Sequence, residues 1–408
     1  MKKILFISPS CYPIYGSEAS CNIKFLYVLS QLDCQIDLIT GKSYVYYPFN
    51  KNDSSYLKNI NKIVSVKRNN KINLHSIFEY IRTFIKTGYV YSGIAGTFEM
   101  ISVAETLIKE NAYDYIFTKD YPSEVVGLYL SKKYKIRWVP TFNDPYCMDK
   151  FPEPYGKGYQ CRVGWIREKL IKDISKTAYM SIYPSSRLRD YMLKYMYGMK
   201  MENTLIIPHI LIKEKIIYKD AAPKKKLRVL YSGIITSERV TESFFKGFGN
   251  FCEKRTPNLI LTFRGIIDKN AQKEIDKYIV KYNIKEYIIF LPPVSFIESV
   301  EEAKEYDVCL VIEANCEEGI FLPGKVPNYL QCNTSIFAIS PQNGILNDLY
   351  KTGIVDYFAD VSSFTSVEFN FNILYNDYKK GGLIQRDKDL SPFLSTEIAT
   401  KLNDIFIK

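Results

Sequence analysis

Arg239 follows shortly after Gly233, which ends the apolar run LRVLYSG (Leu227 to Gly233). A glycine at a strand end lets backbone approach a ligand closely, and a guanidinium just beyond it offers a two-pronged donor to phosphate oxygens. Arg264 and Gly265, at the end of the run NLILTFRG, repeat the pairing and are second candidates for the same anion. Near the N-terminus, Gly16 gives close backbone approach and Ser17 can cap a helix whose positive end would face a bound anion. Asn143 and Asp144 come directly after IRWVPTF (Ile136 to Phe142). They would lie beyond the carboxyl end of a parallel strand, where open α/β sheets bind ligands. An Asn-Asp-Pro run is also ordinary turn vocabulary, so a purely structural role stays open for both.

These residues need strand ends to hold them, and the pattern supplies the strands. ILFIS (Ile4 to Ser8), a Pro- and Gly-containing loop, a helical stretch from Ser17 to Leu32 and IDLIT (Ile36 to Thr40) read as one βαβ unit. Buried-type strands recur at Tyr113 to Phe117, Ile136 to Phe142 and Tyr179 to Pro184, separated by helical patterns. A parallel sheet covered by helices is the arrangement that buries such runs. The alternation restarts at Leu227, with further strands at Asn258 to Gly265, Tyr287 to Leu291, Asp307 to Glu313 and Thr334 to Ser340. The expected organisation is an N-terminal Rossmann-like domain at 1–205, a linker at 206–226 containing Pro223, and a second Rossmann-like domain at 227–390. A helix at 394–408, with Ile398, Leu402 and Ile405 on one face, is expected to dock, returning to the first domain.

The chain has 408 residues, enough for two ordinary domains, and its 47% hydrophobic content can fill two cores. Its net charge of +11 arises from 55 basic and 44 acidic residues spread along the chain. That balance suits nucleotide diphosphates or an anionic membrane face, where contact would be peripheral and released by salt. No zinc-finger spacing, RNA-binding signature or basic helix points to nucleic acid. The nine cysteines are scattered and never spaced as CxxC, as expected for free thiols in a reducing compartment. Two distant histidines, His75 and His209, argue against a histidine-rich metal site. The opening apolar run is too short for a signal peptide, and no run is long enough to span a membrane, so a cytoplasmic location is expected.

Several segments together resemble the retaining glycosyltransferases of the large family 4 group, with similarity along nearly the whole chain. KKILFISPSCYPIYGSEAS resembles the family's first strand, loop and glycine turn. TFNDPY (Thr141 to Tyr146) resembles an Asp-Pro segment of polysaccharide-assembling members, and FPEPYGKGYQ after it has the character of an acceptor-side lid. IIPHI (Ile206 to Ile210) resembles the strand that hands the chain between domains, with His209 supporting the linker. YSGIITSER (Tyr231 to Arg239) resembles the segment that reaches the donor diphosphate. EANCEEGIFLPGKVPNYLQCNTSIFAIS (Glu313 to Ser340) resembles the family's donor-binding signature of acidic residues and a Pro-x-Lys turn.

The resemblance implies a GT-B fold, two Rossmann-like parallel-sheet domains facing across a cleft. It implies transfer of a sugar from a nucleotide-sugar donor, UDP- or GDP-linked, to a glycan or lipid-linked acceptor in surface polysaccharide assembly, with no cofactor. Lys325 and Arg239 would stabilise the leaving diphosphate, so that no metal is required, and Asp144 would act on the acceptor side with Asn143. Gly16, Gly233, Arg264, Glu317, Glu318 and Asn328 would complete the donor site. Aligned on the Pro-x-Lys turn, Asn328 replaces the glutamate that holds ribose hydroxyls in the family, and Ile320 stands at the position of the first glutamate. Glu317 or Glu318 would then take the acidic role by a loop shift. The alternative is a catalytically inactive GT-B module that binds glycan or serves as a scaffold. An epimerase or dehydrogenase is disfavoured because neither half has a glycine fingerprint followed by an acidic ribose ligand.

Overall fold

The computed structural model describes residues 1–12, 16–42, 55–67, 74–212, 226–383 and 388–407. Most of the expected linker, including Pro223, lies outside them, as do residues 13–15 of the first loop. The chain divides into two compact units. Unit 1 comprises Met1–Phe151, Lys157–Ile210 and Ser395–Lys408, and unit 2 comprises Pro152–Gly156 and Leu211–Leu394.

In unit 1 the order is β1 (Lys2–Ser8), α1 (Ser17–Leu29), β2 (Cys34–Gly41), β3 (Lys62–Val66), α2 (Leu74–Thr87), α3 (Thr97–Glu110), β4 (Tyr115–Lys119), α4 (Ser123–Tyr134), β5 (Arg137–Thr141), α5 (Trp165–Thr177), β6 (Ser181–Tyr183), α6 (Ser186–Leu193) and β7 (Thr204–Ile206). The seven strands form one sheet in the order β3-β2-β1-β4-β5-β6-β7, and every pairing is parallel. From Ile4 to Ile7, β1 is fully buried, as a central parallel strand must be when both faces are covered.

Unit 2 continues with β8 (Leu227–Ser232), α7 (Glu242–Arg255), β9 (Leu259–Arg264), α8 (Lys269–Lys281), β10 (Ile288–Leu291), α9 (Phe296–Ala303), β11 (Val308–Ile312), α10 (Lys325–Gln331), β12 (Ser335–Ser340), α11 (Ile345–Lys351), β13 (Tyr357–Asp360) and α12 (Phe364–Lys379). Its six strands run parallel in the order β10-β9-β8-β11-β12-β13. Local chemistry starts several helices. The Asp268 carboxylate accepts from the backbone of Asn270 and Ala271 at the head of α8, and Ser295 with Glu298 forms a capping box on α9. One face of the sheet is sealed by aromatic packing. Phe371 of α12 lies 4.9 Å from Phe248 and 5.6 Å from Phe251 of α7, and meets Phe337 of β12 edge-on at 5.1 Å.

The last helix, α13 (Ser395–Ile407), belongs to unit 1. Ile398, Leu402 and Ile405 are buried, and the Tyr115 hydroxyl of β4 donates to the Ile405 carbonyl at 3.2 Å.

Candidate functional site

In unit 2 the strand order reverses between β8 and β11, so a crevice forms beyond the carboxyl ends of those two strands. Gly233 leaves β8 there and Glu313 leaves β11. Gly233 has φ +132 and Gly265 φ +141, a region that disfavours any side chain, and a Cβ on Gly265 would fall 2.2 Å from the Gly233 carbonyl oxygen. The two loops can pass this closely only because position 265 carries no side chain. A Cβ on Gly233 would in turn stand 3.3 Å from Lys325 Nζ, so the missing side chain leaves room for the ammonium.

Two cations, one of them paired with a carboxylate, lie close enough in this crevice to act on each other's charge. Arg239 ends a short 3-10 turn, Ser237–Arg239, and its Nη2 lies 3.1 Å from Glu313 Oε1. Its Nε donates to the Tyr155 hydroxyl at 3.1 Å. That hydroxyl donates to Glu313 Oε2 at 3.1 Å and accepts from the Ala314 backbone at 3.3 Å. Burial works against the guanidinium, but Glu313 and then Tyr155 hold it charged. Lys325 opens α10 with its ammonium 3.6 Å from the centre of the Tyr231 ring, a cation–π contact. Burial first, and then the nearby Arg239, push this ammonium down to about 7 against the pull of Glu313. Like charges held so near one another make a site that gains when an anion enters.

The other donor-side candidates are placed differently. Arg264 is engaged within the fold: Nη2 and Nε hold Glu302 of α9 at 2.5 and 2.7 Å, and Nη1 donates to the Pro292 carbonyl at 2.9 Å. The structure therefore makes it a brace between β9 and α9, with its fork turned to Glu302. Glu317 is exposed and Glu318 half-buried in the loop between β11 and α10. Asn328 is half-buried on α10, three residues after Lys325 and so on a neighbouring position of the same helix face. Sequence reasoning did not single out Tyr155, and it took Glu313 only as the edge of a longer block. Pro152–Gly156, expected as part of an acceptor-side lid, lies in unit 2, where Tyr155 packs edge-on against Phe321 at 5.2 Å.

Unit 1 repeats the arrangement, its order reversing between β1 and β4. Asp120 is the first residue past β4, buried and at φ 70, a conformation that aspartate tolerates better than most residues. Its carboxyl accepts from Ser8 Oγ of β1 at 3.0 Å and from the Asn22 amide of α1. Burial, and then the carboxyl of Glu18 beside it, hold Asp120 well above the usual carboxylate range. Lys119 donates to Asn143 Oδ1 at 2.8 Å, and Asn143 Nδ2 reaches Asn22 Oδ1 at 3.3 Å. Burial lowers the Lys119 ammonium, while Asp120 pulls it back. Asn143 is thus joined to the group around Asp120, whereas Asp144 is exposed beside it. A small pocket is lined by Cys21, Phe25, Lys119, Thr141, Asn143 and His209. Gly16, at φ +137, is the residue before α1; the side chain of Ser17 lies outside the described residues.

A pair of parallel-sheet α/β units, each gathering polar side chains where its strand order reverses, defines the GT-B class of fold. Solved structures share it. HepE from Anabaena, in complex with UDP and glucose, matches over 100% of both chains with a TM-score of 0.69 at 12% identity. Sucrose-phosphate synthase from Thermosynechococcus elongatus matches over 100% of this chain and 98% of its own, with a TM-score of 0.70 at 15% identity. The lipopolysaccharide outer core galactosyltransferase WaaB, in its apo form, matches over 99% of both chains with a TM-score of 0.62 at 15% identity. At these identities the likeness is one of fold. No protein-family model matches the chain, and no curated protein matches it.

Proposed function

We propose that this chain is a glycosyltransferase that moves a sugar from a nucleotide-sugar donor to a glycan or lipid-linked acceptor, with retention, in surface polysaccharide assembly. The observation that carries the reading is the pair of cations at the reversal point of unit 2, Arg239 paired with Glu313 and Lys325 held over the Tyr231 ring close enough for both to act on its charge. A diphosphate would supply the negative charge this pair lacks. Arg239 can grip ground-state phosphate oxygens with its fork. Lys325, a compact ammonium backed by an aromatic ring, would answer the charge that grows as the sugar–phosphate bond breaks. As that bond breaks, the electron pair leaves with the nucleoside diphosphate and the anomeric carbon becomes oxocarbenium-like. An acceptor hydroxyl entering from the same face forms the new bond, and its proton passes to the departing phosphate oxygen. Acceptor hydroxyls fit the group of unit 1: Asp120, Glu18, Lys119 and Asn143 give donors and acceptors side by side, with Asp144 at the rim.

UDP-linked donors are the first to try, because HepE has this fold over its whole length and was captured with UDP. A panel of UDP-, GDP-, ADP- and CMP-linked sugars should contain one that raises the melting temperature by mass action and is slowly turned over to free nucleoside diphosphate. A panel in which none stabilises the protein would overturn the donor site. Stabilisation with no turnover, in the presence or absence of glycan acceptors, would instead support an inactive binding module, the reading that Asn328 favours.

A further inference from the structure

α2 is packed the wrong way round for a helix of a self-sufficient globule. Its polar side faces the protein: Glu79 accepts from the Gly96 backbone, Lys86 holds Glu105 of α3 at 2.6 Å, and Thr83 is fully buried. Its apolar side faces outward. Ile77 is 47% exposed, Phe78 61%, Ile81 49%, Phe84 42% and Ile85 77%. At 100° per residue these five fall within an arc of about 120°, one continuous stripe. A stripe of this kind left in water is a docking surface.

We propose that α2 is a peripheral membrane anchor whose stripe enters the headgroup boundary of an anionic bilayer. Charge decides the occupant. Arg82 flanks the stripe, and its carboxyl-terminal end lies among Lys86, Lys132, Lys133 and Lys169, which surround Glu105 and Asp173. Lys169 also reaches the hydroxyl of Tyr89, two residues beyond the helix, at 3.3 Å. Cations outnumber carboxylates there, Lys67, Arg68 and Lys71 precede the helix in the sequence, and the whole chain carries +11. A bilayer of anionic lipid complements that rim, whereas a second copy of the chain would set like charges against each other. Size argues the same way. A 14-residue helix is about 21 Å long and about 10 Å wide, roughly 200 Å² of face, well short of the ~800 Å² per partner of a stable dimer. The electrostatic contact expected from composition thus gains an apolar part that salt does not remove.

Cosedimentation with vesicles of phosphatidylcholine alone, or mixed with phosphatidylglycerol, at low and high salt tests this independently of any activity. The protein should bind the mixed vesicles, and part of the binding should persist at high salt. The double variant Phe78→Ser/Ile85→Ser should weaken binding on the order of tenfold or more at both salts, with melting temperature unchanged because both side chains are exposed. If that variant proves unstable, Phe78→Trp should show a blue-shifted emission on mixed vesicles relative to the parent protein. Equal binding by parent and double variant, no binding by the parent, or an unshifted Phe78→Trp would overturn the proposal. Self-association of the parent abolished by the double variant, without vesicle binding, would assign the stripe to a second copy and overturn it as well.

Discussion

Lys325 and Arg239 differ in what they can do before the reaction begins. The guanidinium fork can grip phosphate in the ground state, whereas the half-buried ammonium gains most as charge develops. Lys325→Ala should therefore lower turnover on the order of a hundredfold while weakening donor binding much less. Arg239→Ala should lose both, and the double variant should lose less than the sum because both groups face one diphosphate. Steady-state transfer and nucleotide affinity for the three variants check this; full activity in Lys325→Ala would remove the phosphate role. The low Lys325 pKa adds a pH signature. The free ammonium titrates at about 7, and a bound diphosphate raises that value. Binding then takes up a proton between the two pKa values, so affinity is greatest below about 7 and falls as pH rises through the window above it. Titration calorimetry in buffers of different ionisation heat should show that uptake, and Lys325→Ala should abolish it. On the acceptor side, Asp120→Asn replaces a carboxyl already held toward its neutral form, so the fold and donor affinity should survive while transfer drops. Asp144→Asn, at an exposed position, should lower transfer less. A fall in nucleotide affinity for either variant would place that residue on the donor side.

The elements show where sequence patterns carry information and where they stop. Strongly apolar runs that end in glycine, such as β8 and β9, were legible to within a residue, because a central parallel strand has no polar face to blur it. β3, with Lys62 and Ile63 exposed at the sheet edge, and the four-residue β13 lack such a run and went unread. A shift of two residues had a larger consequence at β4. Read as Tyr113 to Phe117, it hides Asp120 in a turn; as Tyr115–Lys119 it makes Asp120 the first residue past a strand end, where the rule applied to Asn143 and Asp144 would have found it. Glu313 and Tyr155 are 158 residues apart, and no local pattern records their hydrogen bond. α13 is the opposite case, since its spacing of Ile398, Leu402 and Ile405 already defined a buried face. That burial gives a stability prediction: Leu402 is 0% exposed, so Leu402→Ala should destabilise unit 1 by about 2–5 kcal/mol. Chemical denaturation should show a lower midpoint, and an unchanged midpoint would mean that the helix contributes nothing to the unit.

At the scale of the whole molecule, the two units solve one problem twice. Each places its first strand beside its fourth, and each leaves a carboxyl side chain just past that fourth strand, Asp120 in one and Glu313 in the other. Their surroundings then diverge. Glu313 pairs with Arg239 and lies in the field of Lys325, which leaves its crevice short of negative charge, while Asp120 has Glu18, Lys119 and hydrogen-bonding amides about it, a group of both signs that suits neutral hydroxyls. The difference predicts where a nucleotide acts. Nucleoside diphosphate alone should slow backbone hydrogen exchange at the end of β8 and its following turn through Arg239, in the loop after β11, and in α10. These are the segments whose side chains would gain charge-assisted contacts, and bound ligand suppresses the local openings that permit exchange. The loop after β1 and the start of α4, around Asp120, should change little until an acceptor is added. Protection centred on unit 1 with nucleotide alone would reverse the assignment of donor and acceptor between the two reversal points, since the same fold offers both sites and only their charge tells them apart.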